Sequence, residues 1–210
     1  MSEARSIEPV AGRLDTFPRL LMQHARLRGE RPATREKDLG IWQTWTWAPV
    51  YSEARALASA LAQMGFKRGE NLAIIGDNRP RLYWSFAAAQ MLGGIPVPLY
   101  QDAVATEMAF VLQDAEIRFA IVEDQEQVDK MLEIVDQCPA LKHIFYDDPR
   151  GLRHYHQMEL TSLYELIETG RAHDRPTQRP DARPLAACVV RRDHRAVRRP
   201  DVVVTTHGLE

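Results

Sequence analysis

The chain predicts an α/β fold, a mostly parallel sheet flanked by helices, and three observations carry that expectation. Helix-period and strand-period segments alternate at short spacing from Thr16 to about Gly170. The strand-period segments are short apolar runs, such as residues 72–75, 119–122 and 143–146. With 210 residues, 45% apolar and 27% charged, the composition is that of a folded globular chain long enough to bury a sizeable core.

Six helices are expected. Phe17, Leu20, Leu21 and Ala25 mark the first, with Asp15 or Thr16 as N-cap and its end near Gly29. Residues 33–37 and 42–47 then read as a hairpin around Asp38, Leu39 and Gly40. A second helix begins at Pro49, places Val50, Ala54, Leu57, Ala58 and Leu61 on one stripe, and is closed by Gly65. The strand 72–75 leads through Arg79 and Pro80 into a third helix ending near Gly93. Residues 95–99 form another strand, whose Pro96 and Pro98 favour an edge or an end of the sheet. Thr106 caps a helix bearing Met108, Val111, Leu112 and Ala115, and the strand 119–122 follows. The stripe of Val128, Met131, Leu132 and Val135 precedes the strand 143–146. Thr161 then opens a last helix with Leu163, Leu166 and Ile167, closed by Gly170.

Residues 1–15 are an extension, 16–170 the α/β lobe, and 171–210 an irregular tail rich in arginine and proline. The tail has nine arginines and no lysine and is net +4, against −6 for the rest. It lacks the interleaved aromatics of a nucleic-acid surface, and the net charge of −2 gives no reason to expect a nucleic-acid partner. Only Cys138 and Cys188 occur, far apart, which excludes a disulfide scaffold and a thiolate zinc site and leads us to expect a reducing, cytoplasmic setting. No apolar stretch approaches the ~18 residues of a membrane span, which leaves room only for peripheral membrane contact.

A loop that cradles phosphates needs clustered glycines, so that backbone N–H groups approach without Cβ obstruction. Neither G-x-G-x-x-G nor G-x-x-x-x-G-K-[ST] occurs, and the one adjacent pair, Gly93 and Gly94, runs into Pro96. Gly76, Asp77 and Asn78 stand between a strand and a helix, where α/β sites often lie, although Asp77 or Asn78 as a plain N-cap accounts for them more simply. His154 and His156 have no supporting ligand and read as surface residues. Asp147 and Asp148 adjoin Pro149 and Gly151 and read as a structural turn, and Trp42, Trp45 and Trp47 as hairpin packing. From the residues alone no catalytic group and no metal site is assigned.

Three stretches in register resemble the start of the adenylate-forming acyl-CoA synthetases, specifically the long-chain fatty-acid branch. They are WTWAPVYSEARALASAL (45–61), AQMLGGIPVPLY (89–100, preceded by GDNRPRLYW, 76–84) and FYDDPRGLRHY (145–155). The resemblance implies the first lobe of a longer acid–thiol ligase that uses ATP and Mg²⁺ to convert a fatty acid to an acyl-adenylate and passes the acyl group to coenzyme A. Asp77, Asn78 and Tyr100, at strand ends, are the candidates for lining its substrate cleft.

The family's phosphate loop, of the form TSGTTGxPKG, should fall near residues 190–200, where this chain has CVVRRDHRAVRRPDVVVTTHGLE (188–210), without the glycines or the lysine. A fragment that does not complete adenylation and binds none of ATP, Mg²⁺ or coenzyme A tightly is therefore expected. A reading-frame shift in the tail would explain the change, and the nucleotide sequence of codons 180–205 tests it. The competing expectation is a stand-alone, non-catalytic α/β binding or interaction module.

Overall fold

The computed structural model describes residues 16–157 and 160–174. Its elements run α1 (Phe17–Arg28), β1 (Pro32–Asp38), β2 (Ile41–Thr46), α2 (Trp47–Gln63), β3 (Asn71–Ile75), α3 (Pro80–Met91), β4 (Ile95–Leu99), α4 (Ala105–Asp114), β5 (Phe119–Val122), α5 (Gln125–Ile134), β6 (His143–Tyr146), β7 (Leu160–Ser162) and α6 (Leu163–Asp174). Strands β1 and β2 form an antiparallel hairpin; the other five form one parallel sheet in the order β4-β3-β5-β6-β7. The α/β expectation is met.

The central strands are largely apolar because both faces of the sheet are covered. With a side-chain period of two, Leu72, Ile74, Phe119, Ile121 and Phe145 point to the side of α2, α3 and α6. Ala73, Ile75, Ala120, Val122 and Ile144 point to the side of α4 and α5, where Met108, Leu112, Val128 and Met131 meet them. Helix α2 is buried along Val50, Ala54, Leu57, Ala58 and Leu61. It ends as expected at Gly65, whose φ of +85° lets the Phe66 N–H reach back to the Leu61 carbonyl at 2.9 Å.

Strand β4 is an edge, as its prolines foretold. The Ile95 N–H donates to the Glu70 carbonyl at 2.9 Å, so by alternation Ile95, Val97 and Leu99 turn their backbone groups toward β3. Pro96 and Pro98 face the free side, where a missing N–H costs no ladder bond.

Several boundaries differ from the sequence reading. Helix α2 starts at Trp47, not Pro49. Helix α4 is preceded by Val104, whose carbonyl takes the N–H groups of Glu107 and Met108, so Thr106 lies in the first turn and is no cap. Thr161 belongs to β7, a strand of three residues paired with β6, too short to leave a period in the sequence. The tryptophans do not pack as one set. Trp45 meets Trp84 edge-on with centroids 5.8 Å apart and Trp47 lies 4.6 Å from His24, whereas Trp42, three residues from Trp45 and so on the other hairpin face, is exposed.

Helix α6 does not stop at Gly170 but runs on to Asp174. Gly170 is instead a contact residue: a Cβ there would stand 1.8 Å from the Ala56 carbonyl oxygen of α2. The readings of residues 1–15 and 175–210, the shifted frame included, fall outside the described residues. Among the described residues no helix is long and apolar enough to cross a membrane. Replacing Gly170 by Ala is expected to destabilise the protein by roughly 2–4 kcal/mol, because two helix backbones must separate; the shift in urea midpoint at unchanged m-value measures it.

Candidate functional site

In an open parallel sheet, ligands bind beyond the carboxyl ends of the strands, where successive crossovers leave in opposite directions. Here the chain moves from β3 outward to β4 and then crosses back to β5, so that crevice lies between the ends of β3 and β5. Three loops meet there: residues 76–79 after β3, Glu123 and Asp124 after β5, and Asp147 and Asp148 after β6.

Gly76 decides the local geometry. Its φ is +148°, and a Cβ on it would lie 2.5 Å from the Glu123 Cβ and 2.9 Å from Glu123 Oε2. Without that Cβ, the Glu123 carboxylate reaches the start of α3, where Oε2 accepts the Asp77 N–H at 2.5 Å and Oε1 accepts Arg79 Nε at 2.6 Å. Glu123 is only 8% exposed, so both bonds offset the removal of a charge from water. The Asp147 N–H donates to the Val122 carbonyl at 3.0 Å and the Asp148 N–H to the Glu123 carbonyl at 2.7 Å, which draws the end of β6 into the same place.

A cavity of about 230 Å³ opens over these groups, roofed on one side by the hairpin. Its charged lining is Glu36, Asp38, Glu123, Asp147 and Asp148 against Arg79, Arg81 and Arg150. Arg81 Nη1 donates to Asp147 at 3.0 Å, Arg150 Nε to Asp148 at 2.7 Å, and Arg79 also faces Glu36 at 3.9 Å. Burial pushes the Asp147 carboxyl above the usual aspartate range despite Arg81, and burial likewise raises Glu36. The hydrogen bond from Arg150 pulls Asp148 below it.

This arrangement does not fit a nucleoside triphosphate with its metal. The volume falls short of the roughly 300–1,000 Å³ of small-molecule pockets. Carboxylates outnumber guanidiniums, and every guanidinium in the lining already faces one. The Asp77 N–H, in the loop that leads into α3, is already taken by Glu123. Among the described residues no group of three or more His, Cys, Asp or Glu side chains could hold a metal ion.

The sequence-predicted residues divide. Asp77 and Asn78 line a second cavity, about 130 Å³, on the other side of β3 with Tyr83, Phe86, Pro98 and Leu99. Neither is the helix cap: Arg79 holds that position with Pro80 behind it, and Asn78 Oδ1 instead accepts the Tyr83 hydroxyl at 2.8 Å. Tyr100 is 73% exposed beyond β4, its hydroxyl bonded to Asp102, and is not among the residues lining either cavity. The sequence reading missed Glu123, Arg79 and Arg81 and took Asp147 for a turn residue. The available signal was a carboxylate directly after a short core strand, FAIV-E and HIFY-D.

A family model described as AMP-binding enzyme matches residues 21–188. The long-chain-fatty-acid–CoA ligase ACSBG2 of Xenopus laevis is 27% identical over 143 residues, 68% of this chain and 19% of that protein. The 4-hydroxybutyrate–CoA ligase 2 of Metallosphaera sedula is 32% identical over 105 residues, 50% of this chain and 19% of that one. The chain thus spans about a fifth of the length of these relatives. Among solved structures, the anthranilate CoA ligase AuaEII in complex with anthranoyl-AMP superposes with a TM-score of 0.64 at 23% identity, over 72% of this chain and 27% of that one. The N-terminal domain of FACL13 from Mycobacterium tuberculosis gives 0.61 at 21%, over 72% and 35%. At these identities the structures share the fold.

Gly76→Ala is expected to cost roughly 2–4 kcal/mol in chemical denaturation, since it meets both a positive φ and the Glu123 side chain. In carboxyl-detected NMR titrations Asp147 should titrate above, and Asp148 below, the ordinary aspartate value of about 4. The linkage signs are opposite. Asp147 binds its proton more tightly in the native state, so its contribution falls as pH climbs from the ordinary value through the raised one. That of Asp148 is present above the ordinary value and is lost as pH drops through the lowered one. Asp147→Asn should reduce the first slope to the part that Glu36 contributes and leave the second.

Proposed function

Because the chain belongs to the AMP-binding enzyme family, we propose that it is the first α/β lobe of a long-chain fatty-acid–CoA ligase and that by itself it does not complete the reaction. In the whole enzyme the fatty-acid carboxylate attacks the α-phosphorus of ATP, pyrophosphate leaves, and the thiol of coenzyme A then displaces AMP to give the thioester. Charge that builds on the departing pyrophosphate must be met by backbone donors and cations held in place beforehand. The long-chain reading is supported by the resemblance of residues 45–61, 76–100 and 145–155 and by relatives named for that substrate. A cytoplasmic setting belongs to the same proposal and is supported by two cysteines that form no disulfide framework.

The observation that carries the inactivity is the occupation of the crevice by the protein's own carboxylates. Glu123 holds the Asp77 N–H and Arg79, Asp147 holds Arg81, and Asp148 holds Arg150, so the guanidiniums that line the crevice are already matched by carboxylates. The glycine-rich loop expected near residues 190–200 is replaced by an arginine-rich run, so the sequence offers no second cradle.

Isothermal titration of the full chain with ATP-Mg²⁺ and palmitate should show no saturable binding up to millimolar nucleotide, and ATP–pyrophosphate exchange should stay at background. Micromolar ATP affinity, or pyrophosphate released in proportion to protein, would overturn the reading.

A further inference from the structure

The hairpin of β1 and β2 has one face that neither the core nor the crevice uses. Its register sets Arg35 opposite Thr44 and Lys37 opposite Trp42, so these four side chains share a face, while Glu36, Asp38, Ile41 and Gln43 take the other. The second face turns inward at Glu36, which reaches toward Arg79, and at Trp45, which packs on Trp84, while Asp38, Ile41 and Gln43 stay exposed. Arg35, Lys37, Trp42 and Thr44 are all exposed. The Arg35 guanidinium lies 5.1 Å from the Trp42 ring centroid, yet Trp42 remains 59% exposed.

At the apex, Leu39 is 84% exposed and Ile41 65%. Leu39 also has a φ of +46°, followed by Gly40 at +83°, the two positive values of a tight hairpin turn in which asparagine or glycine is the favoured first residue. Leucine there meets two penalties, a left-handed backbone and an apolar side chain in water, and Asn would relieve both. A residue held against both terms points to a use outside the fold's own stability.

We propose that this hairpin apex docks on a bilayer containing anionic lipids. Leu39 and Trp42 enter the boundary between headgroups and acyl chains, and Arg35 and Lys37 meet the lipid phosphates. Charge complementarity selects this occupant. Both ionisable residues on the Trp42 face are cations, whereas the acids Glu36 and Asp38 lie on the opposite face. A tryptophan beside basic residues is the composition that settles at a membrane–water interface. The inference goes beyond the proposed reaction and stands without it, because it rests on the hairpin alone.

Sedimentation of the full chain with sucrose-loaded vesicles tests it. Binding to phosphatidylcholine vesicles containing about a third phosphatidylglycerol should exceed binding to phosphatidylcholine alone by roughly tenfold. Arg35→Gln with Lys37→Gln should remove that difference. Leu39→Asn should weaken binding roughly fivefold or more while holding or raising the urea midpoint, a pairing that loss of fold would not produce. Brominated acyl chains should quench part of the tryptophan emission, and Trp42→Thr should remove that part. Failure to sediment with the anionic vesicles overturns the proposal, as does binding that Leu39→Asn and Trp42→Thr leave unchanged. A concentration-dependent dimer that Trp42→Thr dissolves, with vesicles left unbound, also overturns it and makes the apex a contact between copies of this chain.

Discussion

The Glu123 carboxylate is the constraint around which the carboxyl edge of the sheet is arranged. A charge this deeply buried stands only if its oxygens are matched, and the Asp77 N–H and Arg79 Nε match them from across the β3–β5 boundary. That approach requires a residue without Cβ at position 76. The backbone of Glu123 links its neighbours as well: its N–H donates to the Ile75 carbonyl and its own carbonyl accepts from the Asp148 N–H. One residue therefore joins β3, the head of α3, β5 and the exit of β6.

The chemical consequence is that the most receptive point of the fold is internally satisfied. In the loop that leads into α3, the Asp77 N–H and the Arg79 side chain are both held by a carboxylate of the protein. The surrounding ion pairs extend the same bracing to the hairpin and to the loop after β6. The crevice is thus braced by the protein's own charges.

Much of this architecture was legible because the dominant signals were local. Apolar runs bounded by glycine, proline or charge located β3, β4, β5 and β6 within a residue, and Gly65 marked the end of α2. What escaped was set by contacts distant in sequence. Gly170 looked like a stop and is a helix-crossing point, because Ala56 stands 114 positions earlier, which no periodicity reports. The three residues of β7 exist as a strand only because β6 offers an edge. In the site, Asp77 and Asn78 were placed by their position after β3, but Glu123 lay 46 residues from its partner and Asp147 66 from Arg81. Tyr100, chosen by the same strand-end rule, follows an edge strand and faces water.

The prolines of β4 have a consequence for how this lobe behaves among its own copies. Their free side shows carbonyl oxygens from residues 96 and 98 and no amide hydrogens between them, so an incoming strand could donate to it but would receive nothing in return. Such a one-way border cannot template the reciprocal ladder by which open sheets join end to end into fibrils. At the β4 edge the sheet is thereby given a built-in brake on self-assembly.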